Sequence, residues 1–115
     1  MESIPSAKAQ RLSLDSVLFK KAALVLRALN NKLRQQLLTY LDERKEASVT
    51  EIYKKFRIEQ SVTSQQLGIL RQQGFVKTRR EGKKIYYAIN YDGLALAHRL
   101  AAEMVKIKSH PMDKP

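Results

Sequence analysis

Apolar residues recur along this chain with two different periods, and each period predicts one kind of element. A helical spacing of three to four positions runs from Leu14 to Leu29 and from Asn31 to about Arg44. The same spacing returns in two short stretches, 51–56 and 60–73, and in a last one from about Tyr91 to Lys108. The two short stretches are joined by a tight turn, which predicts a helix-turn-helix.

Residues 75–89 carry a different pattern, with strand-forming side chains on both sides of a Glu-Gly pair. The segments 75–80 and 83–89 predict a two-stranded hairpin with Glu81 and Gly82 at its tip. Because side chains alternate along a strand, one of Tyr86 and Tyr87 is expected in the core. The fold predicted from these elements is mostly α-helical, with about five helices and one small two-stranded wing.

Capping residues predict where the helices begin and end. Ser13 or Asp15 is expected at the start of the first helix. Asn30 and Thr50 are residue types that cap helix N-termini, so they are expected before the second and third helices. Gly74 follows the fourth helix, at the place where a left-handed C-terminal cap is expected.

The fourth helix has one apolar face and one face of Gln and Ser when it is projected at about 100° per residue. A polar helix of this length fits the major groove of DNA, and the first two turns of such a helix reach the base edges. Gln pairs with adenine, and Ser can donate to or accept from any base pair. Arg71, further along, is expected to meet a phosphate. A solvated face without a ligand is the alternative. The candidate base-reading residues are Gln60, Ser61, Ser64 and Gln65.

Cations surround the predicted hairpin tip. Cations at a hairpin tip are expected to have no role in the fold, and they repel one another. A polyanion is therefore their expected partner, and the release of counterions would make its binding fall steeply with salt. A hairpin that only improves solubility is the alternative. The cations are Lys77, Arg79, Arg80, Lys83 and Lys84.

The first helix is apolar over more than half of its circumference, whereas a surface helix needs an apolar arc of only about 100°. The last helix also has a broad apolar face. This surplus predicts a contact with a second subunit, and the alternative is a helix that its own domain wraps. The residues predicted for this dimer seam are Leu14, Leu18, Val25, Leu96, Leu100 and Met104.

The charge of the chain agrees with an anionic partner. The 115 residues contain 22 Lys and Arg against 11 Asp and Glu, which gives a formal charge of +11. An excess of this size favours nucleic acid over a membrane surface. The chain has no Cys, which excludes disulfides, thiolate metal sites and thiol redox sensing. With no apolar run of the ~18–20 residues that a membrane span needs and no signal peptide, a cytoplasmic location is expected.

The stretch Leu26–Asn90 resembles the winged helix-turn-helix of the ArsR-type bacterial repressors. Residues 61–71 match the recognition-helix pattern S-x-x-S-x-x-L-x-x-L-R, and residues 79–82 with the two following Tyr match the wing. Asn30 to Arg34 matches a short capped turn followed by Arg. The resemblance implies a homodimer, joined by the first and last helices, that binds a palindromic operator in double-stranded DNA. Three positions depart from the pattern. Arg57 replaces a Gly and is expected to adopt a left-handed conformation, and Gln66 replaces a His. Glu59 is an unusual N-cap, and its charge is expected to repel a nearby phosphate.

Many proteins of this type release DNA when a metal binds, but no metal site and no cofactor are expected here. The Cys-based site is impossible without Cys. The alternative site needs an Asp-x-His pattern, and Leu96 stands two positions before His98 where that Asp would be. Besides His98, the residues that could act as metal ligands in such a site are Asp92, Glu103 and His110. No enzyme is expected either, because the chain has no Gly-rich phosphate loop and no nucleophile beside a base.

The predicted organisation is a flexible arm at 1–12, a DNA-binding and dimerisation domain at 13–108 and a disordered tail at 109–115. The predicted function is a dimeric transcriptional regulator, most simply a repressor. The alternatives are a winged-helix module that binds a protein and an architectural protein that binds DNA without sequence preference.

Overall fold

The computed structural model describes residues 12–108, which form five helices and a three-stranded antiparallel sheet. Apart from Leu12, the predicted arm and tail lie outside the described residues. No helix within 12–108 is both long and apolar enough to cross a membrane. The helices are α1 (Ser16–Leu29), α2 (Lys32–Arg44), α3 (Val49–Phe56), α4 (Gln60–Gln72) and α5 (Tyr91–Val105), and the strands are β1 (Ala47–Ser48), β2 (Val76–Glu81) and β3 (Lys84–Ile89).

Two of the predicted N-caps were wrong. Asn31, not Asn30, caps α2, and its side chain accepts a hydrogen bond from the backbone N–H of Arg34. Asn30 instead ends α1, because its own N–H donates to the carbonyl of Leu26. The first helix begins two residues later than predicted, at Ser16, because the Asp15 side chain caps it.

The third helix is capped by Ser48 rather than by Thr50. The hydroxyl of Ser48 accepts from the N–H of Glu51 at 3.2 Å, and the Glu51 carboxylate accepts from the N–H of Ser48 at 2.8 Å. These two reciprocal bonds form a capping box. The second bond, from the Ser48 backbone, is the main reason why the pKa of Glu51 is lowered. Helix α3 therefore starts directly after β1.

Strand β1 is an element that the sequence did not predict. Ala47 and Ser48 pair with Tyr87 and Tyr86 of β3, so the sheet order is β1-β3-β2 and the wing rests on a third strand. The hairpin turn consists of Gly82 and Lys83, not of Glu81 and Gly82, because Glu81 still pairs with Lys84. Gly82 has φ +61°, which a tight hairpin turn requires at its first position and which Gly adopts without steric cost.

The core forms where α2, α3 and α4 meet the sheet. As alternation predicted, Tyr87 is buried, whereas Tyr86 stays half-exposed. Gly74 has φ +83°, so the predicted left-handed cap after α4 is confirmed. The largest fully buried side chains are Phe75, Leu37, Leu41, Ile52, Leu67, Leu70 and Thr63.

A buried arginine ties three helices together. Arg34 of α2 is 8% exposed, and its Nε donates to the carbonyl of Ala28 at 2.7 Å while its Nη2 donates to that of Arg27 at 3.0 Å. Both carbonyls belong to the last turn of α1, whose free C=O groups carry partial negative charge. The third nitrogen, Nη1, donates to Oε1 of Gln66 in α4 at 2.7 Å. One guanidinium thus positions α4 relative to α1 and α2.

Close packing sets the start of α5. The Asn90 side chain caps the helix by accepting from the N–H of Gly93, and its amide donates to the carbonyl of Gly74 at 2.8 Å. A Cβ on Gly93 would lie 2.8 Å from that same carbonyl oxygen, so this position requires glycine. The hydroxyl of Tyr91 also donates to the Asp42 carboxylate at 2.6 Å, which lowers the pKa of Asp42 and joins α5 to α2.

Substitution at the two candidate caps of α3 distinguishes them. We expect Ser48→Ala to lower the free energy of unfolding by ~1 kcal/mol, because it removes the hydroxyl that accepts from Glu51. Thr50→Ala, on the exposed side of the same turn, is the matched control and should stay within about 0.5 kcal/mol of wild type. Urea denaturation measures both, and equal losses for the two variants would contradict the capping box.

The contact between Arg34 and Gln66 is tested in the same way. Gln66→Ala leaves a buried guanidinium N–H without its acceptor, so we expect a loss of ~1–3 kcal/mol in the free energy of unfolding. Gln65→Ala removes the same side chain from the exposed neighbouring position and should change stability by less than about 0.5 kcal/mol. If the two variants unfolded at the same urea concentration, Arg34 would not depend on Gln66.

Candidate nucleic-acid interface

The first two turns of α4 present an uninterrupted polar surface. Gln60, Ser61, Ser64 and Gln65 are all exposed, while Leu67 and Leu70 on the opposite side are fully buried. Arg71 is exposed in the last turn of the same helix. The structure therefore brings the four candidate base-reading side chains together on one face.

The turn before α4 leaves the start of this helix open. Arg57 adopts the left-handed conformation expected of it, with φ 56° and ψ 44°. Glu59 occupies the N-cap position, but its side chain makes no capping hydrogen bond. The first N–H groups of α4 are thus left for solvent or for a ligand, and the exposed Glu59 carboxylate beside them offsets the positive end of the helix dipole.

The wing tip and the start of α4 share one concave surface. A cleft of about 260 Å³ lies between them and is closed on a third side by the start of α3. Gln60 and Ser64 of α4 line it together with Lys83 and Lys84 of the wing. Polar groups able to read bases and cations able to hold phosphates therefore lie side by side, although they are distant in sequence.

Arg79 differs from the other wing cations. Its guanidinium donates to both carboxylate oxygens of Glu46, at 2.8 and 2.9 Å, and to Glu81 at 3.1 Å. It also lies over the ring of Tyr86, 4.6 Å from the ring centre. The hydrogen bond from Arg79 lowers the pKa of Glu46, and the two carboxylates raise the pKa of Arg79. The expectation that wing cations have no role in the fold was therefore wrong for Arg79, which ties the wing to the residue before β1.

The other wing cations remain available. Each is exposed on the hairpin, and within residues 12–108 none of them forms an ion pair. Because Arg79 holds the wing in place, these charges are kept next to α4 at little conformational cost. They are Lys77, Arg80, Lys83 and Lys84.

Arg34 was noted in the sequence only through the family resemblance, and its contacts were not predicted. A signal was present, because Arg34 is three, four and seven positions before Leu37, Leu38 and Leu41 and so shares their apolar stripe. A charged residue on such a stripe is expected to be buried and paired. Gln66, its partner, is half-buried on the side of α4 that faces away from the candidate base-reading residues.

Apolar side chains remain exposed on α1 and α5. Leu14, just before α1, is 61% exposed, and Leu18, Leu96, Leu100 and Met104 are each about half exposed. Val25 packs instead against the core of its own chain. A set of exposed large apolar side chains on a small protein is typical of a contact surface. Other exposed apolar residues, outside the predicted seam, are Val17, Phe19, Leu24, Val105 and Ile107.

The candidate metal ligands do not form a cluster in the part of the chain that the structure describes. No three His, Asp or Glu residues between 12 and 108 are arranged to hold a metal ion. His98 is exposed on α5, and His110 lies outside the described residues.

Comparison with other proteins identifies the family. Residues 31–78 match the sequence profile of the bacterial regulatory proteins of the arsR family. The chain is 41% identical over 75 residues to the biofilm growth-associated repressor of Agrobacterium fabrum, which covers 65% of this chain and 63% of the repressor, less than two thirds of its length. It is 36% identical over 84 residues to the transcriptional activator HlyU of Vibrio cholerae, with 70% of this chain and 77% of HlyU covered.

Solved structures show the same fold. HlyU from Vibrio cholerae superposes with a TM-score of 0.59 at 33% identity, over 72% of this chain and 90% of HlyU. A homodimeric winged helix-turn-helix DNA-binding domain from Mycobacterium bovis superposes with a TM-score of 0.65 at 30% identity, over 90% of this chain and 94% of that domain. The chain therefore belongs to the arsR family of bacterial regulatory proteins and has a winged helix-turn-helix fold.

Proposed function

We propose that this protein is a dimeric transcriptional regulator that recognises a palindromic sequence in double-stranded DNA. The observation that carries this proposal is the cleft in which Gln60 and Ser64 of α4 lie beside Lys83 and Lys84 of the wing. A helix that reads bases and a wing that neutralises phosphates are the two parts that specific duplex binding needs. The net charge of +11 supports the same partner.

Sequence preference comes from the exposed start of α4. In the major groove, the amides of Gln60 and Gln65 can pair with adenine in two-bond geometry, and the hydroxyls of Ser61 and Ser64 can donate or accept. Arg71, exposed in the last turn of the helix, would contact a backbone phosphate.

Affinity comes mainly from the wing. Lys77, Arg80, Lys83 and Lys84 are exposed and would each replace a condensed counterion on the DNA. Arg79 acts on DNA only through the wing, because Glu46 and Glu81 already occupy its guanidinium.

The exposed apolar side chains of α1 and α5 would join two copies of the chain. The homodimeric relative from Mycobacterium bovis supports this assembly. A twofold dimer places two recognition helices in successive major grooves, about 34 Å apart, which explains why a palindrome is expected. Repression by blocking access of the polymerase is the simplest mechanism, and it would act in the bacterial cytoplasm.

Selection of bound duplexes from a random pool tests the function directly. We expect one palindromic sequence to be enriched and to compete against bulk DNA in moderate salt. Enrichment of no sequence despite salt-dependent binding would indicate an architectural DNA binder. Absence of any duplex binding would indicate a protein-interaction module, and either result would overturn the proposal.

Two substitutions separate base reading from phosphate contact. Gln65→Ala should lower discrimination at one base pair by ~1–3 kcal/mol while leaving stability unchanged. Arg80→Ala should weaken all sequences alike and reduce the slope of log affinity against log salt by about 0.9. Fluorescence anisotropy with the selected duplex and single-base variants, repeated at several salt concentrations, measures both quantities.

The same measurement contains its own cross-check. Each variant serves as the control for the other. Gln65→Ala should change the base preference but not the salt slope, whereas Arg80→Ala should change the salt slope but not the base preference. Identical effects of Gln65→Ala and Arg80→Ala would contradict the assignment of reading to α4 and of phosphate contact to the wing.

A charge on the apolar surface of α5 tests the dimer. Leu100→Glu should convert the protein to monomers in analytical ultracentrifugation and weaken binding to the full palindrome by ~100-fold or more, because the two half-sites are no longer linked. Ala102→Glu, on the exposed face that carries Arg99, is the matched control and should remain dimeric. A dimeric Leu100→Glu protein would place the seam elsewhere.

A further inference from the structure

A cavity of about 470 Å³ opens between α1, α2 and α5, away from the residues assigned to DNA. This volume falls in the range of ~300–1,000 Å³ that is typical of small-molecule sites. Most of its lining is apolar and comes from all three helices. The apolar lining residues are Leu26, Leu29, Leu38, Leu94, Ala97 and Ala101.

The space exists because α5 carries small residues where it faces α1. Ala97 and Ala101 are one helical turn apart, so they lie one above the other on the cavity wall. Ala97 is 9% exposed, and Leu38 at the opposite wall is 7% exposed, so the cavity reaches down to the core. A larger side chain at position 101 would fill it.

Three polar residues also line the cavity: Asn30, Gln35 and His98. The amide nitrogen of Gln35 already donates to the carbonyl of Leu29 at 2.7 Å, which leaves its oxygen as an acceptor. No Lys, Arg, Asp or Glu is among the lining residues, although the chain carries 33 such side chains, 22 basic and 11 acidic. An ionised ligand would find no Lys, Arg, Asp or Glu to pair with there, so the cavity suits a neutral molecule.

The cavity and the dimer seam use different residues. None of the six predicted seam residues belongs to the described lining of the cavity. The walls of the cavity are therefore distinct from the residues of the predicted seam. We propose that the cavity binds a neutral, mainly apolar small molecule with one hydroxyl or amide group, and that this ligand alters DNA binding.

The second half of this proposal rests on the proposed function and on Arg34. Leu26 and Leu29 belong to the last turn of α1, and so do the carbonyls of Arg27 and Ala28 that the Arg34 guanidinium holds. The same guanidinium donates to Gln66 of the recognition helix. A ligand that shifts this turn therefore changes the acceptors of the group that positions α4.

Binding is tested on the full chain without DNA, using 2-naphthol, which has an apolar body and one hydroxyl. We expect saturable binding of one molecule per chain by isothermal titration calorimetry. Ala101→Leu should weaken it at least tenfold by filling the cavity, whereas Ala102→Leu, outside the lining, should leave it unchanged. His98 is exposed, so His98→Ala should leave the fold intact. This variant should bind 2-naphthol ~2–10-fold more weakly, because one hydrogen bond to the ligand is lost.

Binding that does not saturate would overturn the site. The site would also be overturned if Ala101→Leu and His98→Ala both bound 2-naphthol with wild-type affinity. Neither result depends on DNA, so a failure of the site is distinguished from a failure of the proposed function.

Regulation is tested with the duplex obtained by selection. Saturating 2-naphthol should change the affinity for this duplex by ~5-fold or more. Gln66→Ala should bind 2-naphthol like wild type and show no such change, because its link to Arg34 is missing. Unchanged DNA affinity in the liganded wild-type protein would overturn the regulatory half of the proposal and leave the binding site intact.

Discussion

The positions of the helices in this protein depend on one buried charge. The guanidinium of Arg34 can leave water only if its N–H groups find acceptors, because an unpaired buried charge costs several kcal/mol. It finds them in two carbonyls at the end of α1 and in Gln66 of α4. The planar guanidinium donates in fixed directions, so these contacts also set the relative orientation of the helices. The surface proposed to read DNA is therefore positioned by a residue that does not belong to it.

The cations of the wing, taken together with Arg34, divide into two groups according to their partners. Arg34 and Arg79 are paired within the protein and hold α4 and the wing in place. Lys77, Arg80, Lys83 and Lys84 are exposed and form no ion pair within residues 12–108. This division reconciles a large net charge with a stable fold, since the charges proposed to bind DNA are presented on a hairpin that Arg79 anchors. The cost of repulsion among the exposed cations would be recovered when phosphates approach them.

The apolar residues of α1 and α5 divide in a similar way. Those on the outer surfaces are suited to a second subunit, while Ala97, Ala101 and their neighbours border a cavity inside the same subunit. Both features include α1, whose last turn the Arg34 guanidinium connects to α4. An assembly contact and a ligand contact would thus reach the proposed recognition helix through different faces of α1.

Periodicity in the sequence predicted all five helices and both long strands to within a few residues, because each must bury an apolar side. Periodicity missed β1, because a strand of two residues has no period. Residue type alone misplaced the caps at Asn30 and Thr50, because the position of a cap depends on where the preceding element ends. The sequence by itself determined which faces are polar, apolar or cationic, including the exposed start of α4. Only the tertiary structure decided that Arg79 is paired with Glu46, 33 residues away, and Arg34 with Gln66, 32 residues away. Such pairs form when elements that are distant in sequence pack together, so the local spacing of residues does not predict them.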